Sequence, residues 1–542
     1  MSSEAQRRAL AASPRAEVPR PRARLFALLF VVLVSTFYGG SLILARWDYQ
    51  ASADSYYHFA VAREIAHGHL RSELAARVPW TILSKWPVDH YFGFHLFLAP
   101  FAALPSAIMG LKLATLLFFC AVPLCCFWFL AERRVRFAWA WSFLPLLFAN
   151  QDWRYLMLRG GNWLVVLSIA FLQLAFFTRS KRRRWVGIVL VSYLAMLSYQ
   201  GGLILLPLHL GALGTTWLLR RDALEKVQLG EPLLTVLGLG LGLLINPYMN
   251  GNAATFRFLW FHVAYMNLDP AGLYPGLREF GPVPLRYLTA NPEFIVAPLC
   301  LIAAAAWVVI RALRGQRPSY ATSVLLGAAL AGLLLTARAI RMREYAVPWT
   351  VMFFASAVSR WPWHTPLLRK AATPLLGSAV CILLLTKWPN TFDALGEHLP
   401  AAQYEGARSV LEAHRGPPVL NVAEGDYLTL RWEDPDVVVV QALSHYFLYP
   451  NRPVFDDVTT IRRARTDRPR LLAIERFYQR GVRLVAVQHR NLAFDSLERY
   501  PAAFRLIFRS PAKITPEFAC SIYVVDGSGL SAALASAESS VR

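Results

Sequence analysis

The chain has 542 residues, of which 56% are hydrophobic and 17% charged, with a mean hydropathy of +0.37. This balance excludes a disordered chain and an ordinary water-soluble globule, and predicts a polytopic membrane protein. The net charge of +22 does not mark a nucleic-acid partner, because the basic residues fall between apolar runs instead of clustering on a polar domain. Cys120, Cys125, Cys126, Cys300 and Cys381 lie inside apolar runs and only Cys520 does not, which excludes a disulfide scaffold.

In chain order, residues 1–24 carry Arg7, Arg8, Arg15, Arg20, Arg22 and Arg24 and read as a disordered cytoplasmic tail. The apolar run from Leu25 to Leu44 is long enough to span a bilayer. No small-x-small cleavage site follows it, so an uncleaved anchor is expected. A polar, aromatic-rich loop occupies 46–90. Further apolar runs follow at 92–130, 137–149, 162–178, 185–200, 202–219, 232–247, 293–310, 320–336, 345–359 and 371–387. With the 92–130 run counted as one spanning unit, the pattern predicts about eleven spans. Pro100 and Pro105 divide that run, whose first part is expected to be an interfacial or short re-entrant helix.

Loop charge orients the chain, since cytoplasmic loops are enriched in Lys and Arg. Alternate loops obey: Arg133, Arg134 and Arg136; Arg179 and Lys181 to Arg184; Arg220, Arg221 and Lys226; Arg311, Arg314 and Arg317; Arg360, Arg369 and Lys370. The parity puts the N-terminus in the cytoplasm and loop 46–90, loop 248–292 and residues 388–542 outside. The expected location is therefore a cell (inner or plasma) membrane, with bilayer lipids as partners. Residues 388–542 alternate helical patterns (400–415, 468–480) with short apolar strands (419–422, 437–440, 482–487, 521–525), which predicts an extracytoplasmic α/β domain.

The first loop contains Asp54-Ser55-Tyr56-Tyr57-His58, followed by Ala62-Arg63-Glu64, and its basic and acidic residues balance. One reading is an amphipathic interfacial segment bearing an aromatic belt. The other comes from a likeness: a long first outer loop with Asp-x-Tyr-Tyr-His and an Ala-Arg-Glu helix resembles the GT-C superfamily of membrane glycosyltransferases, and distantly the oligosaccharyltransferase catalytic subunit. The resemblance implies a GT-C-like fold, with a transmembrane glycosyltransferase domain over 25–387. It implies transfer of a sugar from a polyprenyl-phosphate-linked donor to a glycan, lipid or protein acceptor. It also implies Asp54 as the catalytic residue, with Tyr56, Tyr57 and His58 positioning substrate. The chain lacks Trp-Trp-Asp-Tyr-Gly, the acceptor-binding signature of the oligosaccharyltransferase proper, which argues against asparagine-linked glycan transfer.

Displacing a lipid phosphate from a sugar carbon requires a group that receives or orients the acceptor's proton, and an aspartate serves as base or as ligand of a divalent metal. Mg²⁺ or Mn²⁺ needs further oxygen ligands. Asp152, in Asn150-Gln151-Asp152-Trp153-Arg154, is the candidate co-ligand of Asp54, or else it pairs with Arg154 or Arg159.

The loop from Ala337 to Glu344 carries Arg338, Arg341 and Arg343 on the side where other short loops avoid basic residues. An anionic ligand explains the exception, because guanidinium groups fork onto phosphate oxygens. Arg343, beside Glu344 at the start of the next span, is the foremost of the three. Binding to lipid headgroups, or pairing with Glu344 and other acids, accounts for the same charges. A flippase or transporter of lipid-linked sugars is the rival function; it would place charges inside the spans, where the runs carry almost none.

Overall fold

A computed structural model describes residues 21–44, 53–69, 77–81, 84, 88–148, 151–257, 293–359, 366–397, 403–423, 426–434, 436–441, 448, 451–489, 491–511 and 519–539. The described chain is mostly helical with one small sheet. Its first part consists of α1 (Pro21–Leu44), α2 (Ala53–Ala66), α3 (Phe92–Ala102), α4 (Ala107–Glu132), α5 (Ala138–Trp141), α6 (Leu144–Leu147), α7 (Gln151–Tyr155), α8 (Gly160–Phe177) and α9 (Lys181–Ser198). After these come α10 (Leu205–Arg220), α11 (Pro232–Leu244), α12 (Met249–Arg257), α13 (Glu293–Leu313), α14 (Tyr320–Arg338), α15 (Arg343–Val358) and α16 (Pro366–Glu397). Among the described residues, seven helices are long and apolar enough to cross a membrane: Arg22–Leu44, Ala107–Glu132, Gly160–Phe177, Gln200–Ala223, Val227–Leu244, Tyr320–Arg338 and Pro374–Phe392. Leu25, Phe26, Leu33 and Phe37 on α1, Leu233 and Leu237 on α11, and Leu375 and Leu385 on α16 stand exposed. Such exposed apolar surface on long helices is compatible with a membrane-embedded protein.

Local chemistry sets the helix ends. The 92–130 run breaks after Ala102, with Pro105 in the break and Ser106 capping α4 by accepting from the Met109 N–H at 3.3 Å. Ser180 and Ser319 cap α9 and α14 in the same way. The 137–149 run folds as two one-turn helices, α5 and α6, joined through Ser142 and Phe143. The last apolar helix continues past Lys387 to Glu397; there Trp388 stacks on Phe392 and donates to Ser41 Oγ at 2.9 Å, which ties α16 to α1.

Helices approach closely where glycine removes the Cβ. A Cβ on Gly242 of α11 would lie 2.5 Å from the Tyr193 carbonyl oxygen of α9, and one on Gly238 would lie 2.5 Å from that of Val189. These positions, four apart, form a small-residue stripe suited to packing in lipid. At the N-terminal end of α9, buried Arg184 donates to Glu231 Oε1 and Glu225 Oε2, both at 2.7 Å. Ser198 and Tyr199, at the other end of that helix, lie about 20 Å away along the axis and border the candidate site.

The C-terminal region contains α17 (Arg408–Ala413), β1 (Val419–Asn421), α18 (Asp426–Glu433), α19 (Arg452–Arg463) and α20 (Asp467–Gln479). It continues through β2 (Leu484–Gln488), α21 (Leu492–Arg499), β3 (Phe504–Arg509), β4 (Cys520–Val525) and α22 (Gly527–Ser539). The sheet order is β1-β2-β4-β3, with β1 parallel to β2 and the other pairs antiparallel. Val439 makes a single parallel bridge to Val419 where a full strand was expected. β3, at the sheet edge, was not among the strands expected from the sequence. One buried cluster joins Tyr57, Val61 and Phe92 to Tyr404, Val419, Leu430 and Ile522, so this region packs on α2 and α3.

Candidate functional site

The site forms where the first turn of α2 meets the segment between α7 and α8. Asp54 and His58 are four residues apart and share one face of α2. Ser55 Oγ accepts the Leu158 N–H at 2.9 Å, which fixes α2 against that segment. Arg159 follows directly and donates to Asp54 Oδ2 from Nε at 2.8 Å and from Nη2 at 2.5 Å. Both bonds use Oδ2, and the Asp54 side chain remains 39% exposed. Burial opposes ionisation of Asp54. The charges of Arg159, His58 and Arg341 outweigh it and hold the carboxyl down at about 2.

A second ion pair supports the first. Arg154 donates to Glu344 Oε1 at 2.6 Å, Arg159 Nη1 lies 3.9 Å from the same oxygen, and Tyr155 Oη donates to the Glu344 carbonyl at 3.0 Å. Glu344 Oε2 is buried without a hydrogen-bond partner among the described residues, and a Cβ on Gly161 would come within 3.0 Å of it. Asn162 Nδ2 donates to the carbonyls of Met157 and Tyr155 at 2.6 and 3.1 Å and shapes the turn that presents Arg159.

Behind Asp54 runs a line of buried groups. His58 Nδ1 lies 2.8 Å from His95 Nε2, and His95 Nδ1 lies 2.8 Å from Asp89 Oδ2. Asp89 is fixed on every side: its Oδ1 accepts the Tyr91 N–H at 2.8 Å, its carbonyl accepts Asn252 Nδ2 at 2.9 Å, and its N–H donates to Asn252 Oδ1 at 3.1 Å. Tyr91 stacks on Tyr199 with centroids 5.2 Å apart and meets His58 edge-on. Burial first, and then the charge of His95, push His58 well below the ordinary histidine range. Burial likewise raises the Tyr91 phenol.

The residues singled out in the sequence take different places. Tyr56 is buried among Phe59, Phe94, Phe118 and Leu158, with its ring 4.7 Å from Trp432 of α18. Tyr57 is buried in the cluster shared with the sheet. Arg338 ends α14 exposed, whereas Arg341, on the one-turn helix Ile340–Met342, lies near enough for its charge to act on Asp54, His58 and Tyr91. Arg343 is buried; its carbonyl accepts from Gln151 and its charge acts on Tyr155. Asp152 lies on α7, with its side chain outside the described residues. Among the described residues no three His, Cys, Asp or Glu side chains gather as a metal site. Arg159 occupies Asp54 Oδ2, one of the two oxygens the aspartate could offer a metal.

The roles of Arg159, Asp89 and His95 were not found by sequence reading. The signals available were the Arg159-Gly160-Gly161-Asn162 run, where glycines admit close packing behind an arginine, and two histidines near carboxylates in apolar surroundings. Compared with models of known families and with curated proteins, the chain gives no match.

Proposed function

We propose that the protein is an integral membrane glycosyltransferase that moves a sugar from a polyprenyl-phosphate-linked donor to an acceptor, with Asp54 at the reacting centre. The observation that carries this reading is the Asp54–Arg159 pair with the charge of Arg341 beside it, at one end of an apolar helical bundle. A partly exposed carboxylate orients an acceptor hydroxyl. Adjacent guanidinium groups neutralise a departing phosphate. The bilayer-facing helices give a lipid-linked donor a route to that end of the bundle. The proposal includes the orientation read from loop charge: N-terminus in the cytoplasm, site and C-terminal region outside, in a cell membrane.

Asp54→Asn preserves size and removes the charge. Transfer from a synthetic short-chain polyprenyl-phosphate-linked sugar should fall by about a hundredfold or more, while membrane insertion and folding persist. Transfer near the parent rate would falsify the assignment of Asp54.

A further inference from the structure

We propose that Glu344 Oε2 and Tyr345 Oη, facing Gly161, form a subsite that takes one hydroxyl of the donor's sugar and so selects the sugar. Both side chains are buried, each 1% exposed, and neither oxygen has a hydrogen-bond partner among the described residues. They converge nonetheless. A Cβ on Gly161 would lie 3.0 Å from Glu344 Oε2 and 3.1 Å from Tyr345 Oη, and among the described residues no other atom outside the local chain comes within 4 Å of it. The space in front of this glycine is therefore bordered by two oxygens that one small group reaches at hydrogen-bond distance.

The chemistry of the two oxygens decides what that group is. Glu344 Oε1 accepts from Arg154 at 2.6 Å, which holds the carboxylate in an ion pair and leaves Oε2 as an acceptor without a donor. The Tyr345 phenol can donate or accept. A hydroxyl fits both, donating to Oε2 and accepting from Oη, whereas a phosphate would meet the carboxylate with like charge. Two buried polar atoms without partners cost stability, and a ligand hydroxyl that satisfies both returns it as affinity and as rejection of sugars that lack the hydroxyl.

That the hydroxyl belongs to the donor rests on the transferase reading. Arg159 donates to Asp54 Oδ2, and its Nη1 lies 3.9 Å from Glu344 Oε1, so the two carboxylates stand one guanidinium apart, within the span of one sugar. Gly160 and Gly161 follow Arg159 and open the first turn of α8. The Tyr91 ring lies 2.7 Å from where a Cβ on Gly160 would be, and the two oxygens face Gly161. Along the other wall, the turn Ile340–Met342 carries Arg341, and Glu344 and Tyr345 follow in the first turn of α15. The charge assigned to the phosphate and the oxygens assigned to the sugar thus come from one short stretch of chain.

The test is equilibrium binding to the full chain in lipid nanodiscs, without acceptor. The probes are synthetic short-chain polyprenyl-phosphate-linked glucose, mannose and galactose, with the monodeoxy counterparts of whichever binds most tightly. Tyr345→Phe removes only an oxygen that has no hydrogen-bond partner among the described residues, so thermal stability should hold or rise while the tightest donor binds about tenfold more weakly. One monodeoxy donor should bind the wild type about tenfold or more weakly, and on that donor Tyr345→Phe should cost no more than about twofold, because its contact is already gone. Gly161→Ala, which puts a methyl group in the hydroxyl's place, should weaken the tightest donor as well. Equal affinity of Tyr345→Phe and wild type for every donor, the result if the two oxygens only hold water, overturns the subsite. An equal loss on parent and deoxy donors alike, or a wild type that binds none of the three sugars, does the same. Transfer from the same donors is measured in parallel. Hydroxyl-specific binding in wild-type protein that transfers no sugar supports the subsite and overturns the transferase reading, whereas transfer without that specificity overturns the subsite alone.

Discussion

Arg159 holds Asp54 through Oδ2 alone, and the carboxylate side chain stays partly exposed. The three arginines around the start of α15 also differ: the charge of Arg341 acts on Asp54 and His58, Arg343 is buried as the first residue of α15, and Arg338 is exposed at the end of α14. If Arg341 stabilises the phosphate mainly as it leaves, Arg341→Ala should lower kcat by about a hundredfold with little change in KM. Arg341→Lys should recover only part, because it restores charge without the planar fork. Arg338→Ala should stay within about threefold of the parent, since a single surface charge contributes only about 1 kcal/mol toward headgroups. Turnover measured side by side for the three variants decides the matter: equal losses at both positions mean that the loop binds lipid surface and not the donor.

At the scale of elements, α11 carries its own control. Gly238 and Gly242 face α9 with carbonyl oxygens where a Cβ would go, whereas Gly240 points into open space. Gly242→Ala should destabilise the bundle by about 1–3 kcal/mol through backbone displacement. Gly240→Ala should be neutral or gain up to about 1 kcal/mol from reduced conformational freedom of the unfolded chain. Thermal unfolding of both variants in one detergent gives the comparison, and equal effects would mean that the close crossing of α9 and α11 does not exist. The short elements follow different rules. The interrupted helices α5 and α6, and α15 with its buried Tyr345, Trp349 and Phe353, lie against the core, so their apolar character reports packing as much as lipid contact.

At the scale of the molecule, the bundle has chemically distinct ends. One holds the Arg184–Glu231–Glu225 clamp, and the other holds Asp54, the histidine line and the C-terminal sheet packed over α2 and α3. Arg431 of α18 reaches Glu64 of α2 at 3.4 Å, and Arg77 donates to the Asp436 carboxylate at 2.5 Å, so residues distant in the chain cover the site end together. The proposed orientation makes that end extracytoplasmic. Topology reporters fused after Lys226 and after Asn421 should therefore give opposite signals, and matching signals would put both ends of the chain's charge pattern on one side and undo the orientation.

The sequence by itself determined the mostly helical, apolar character of the chain, the break in the 92–130 run and three of the four strands, while about eleven spans were expected and seven helices of spanning length and apolarity occur among the described residues. Hydropathy, proline and alternation act over a few neighbouring residues and can be summed along the chain. Attention fell on Asp54 and His58 through the likeness of Asp-x-Tyr-Tyr-His to the first outer loop of GT-C glycosyltransferases, and the structure puts the two on one helix face. Only the tertiary structure decided that Asp54 is held by Arg159, 105 positions away, that His58 is backed by His95 and Asp89, and that the charge of Arg341 acts on Asp54. Those pairings depend on where turns deliver side chains in three dimensions. A guanidinium displaced by a single turn of helix points at a different carboxylate, and no local pattern in the chain encodes which one it meets.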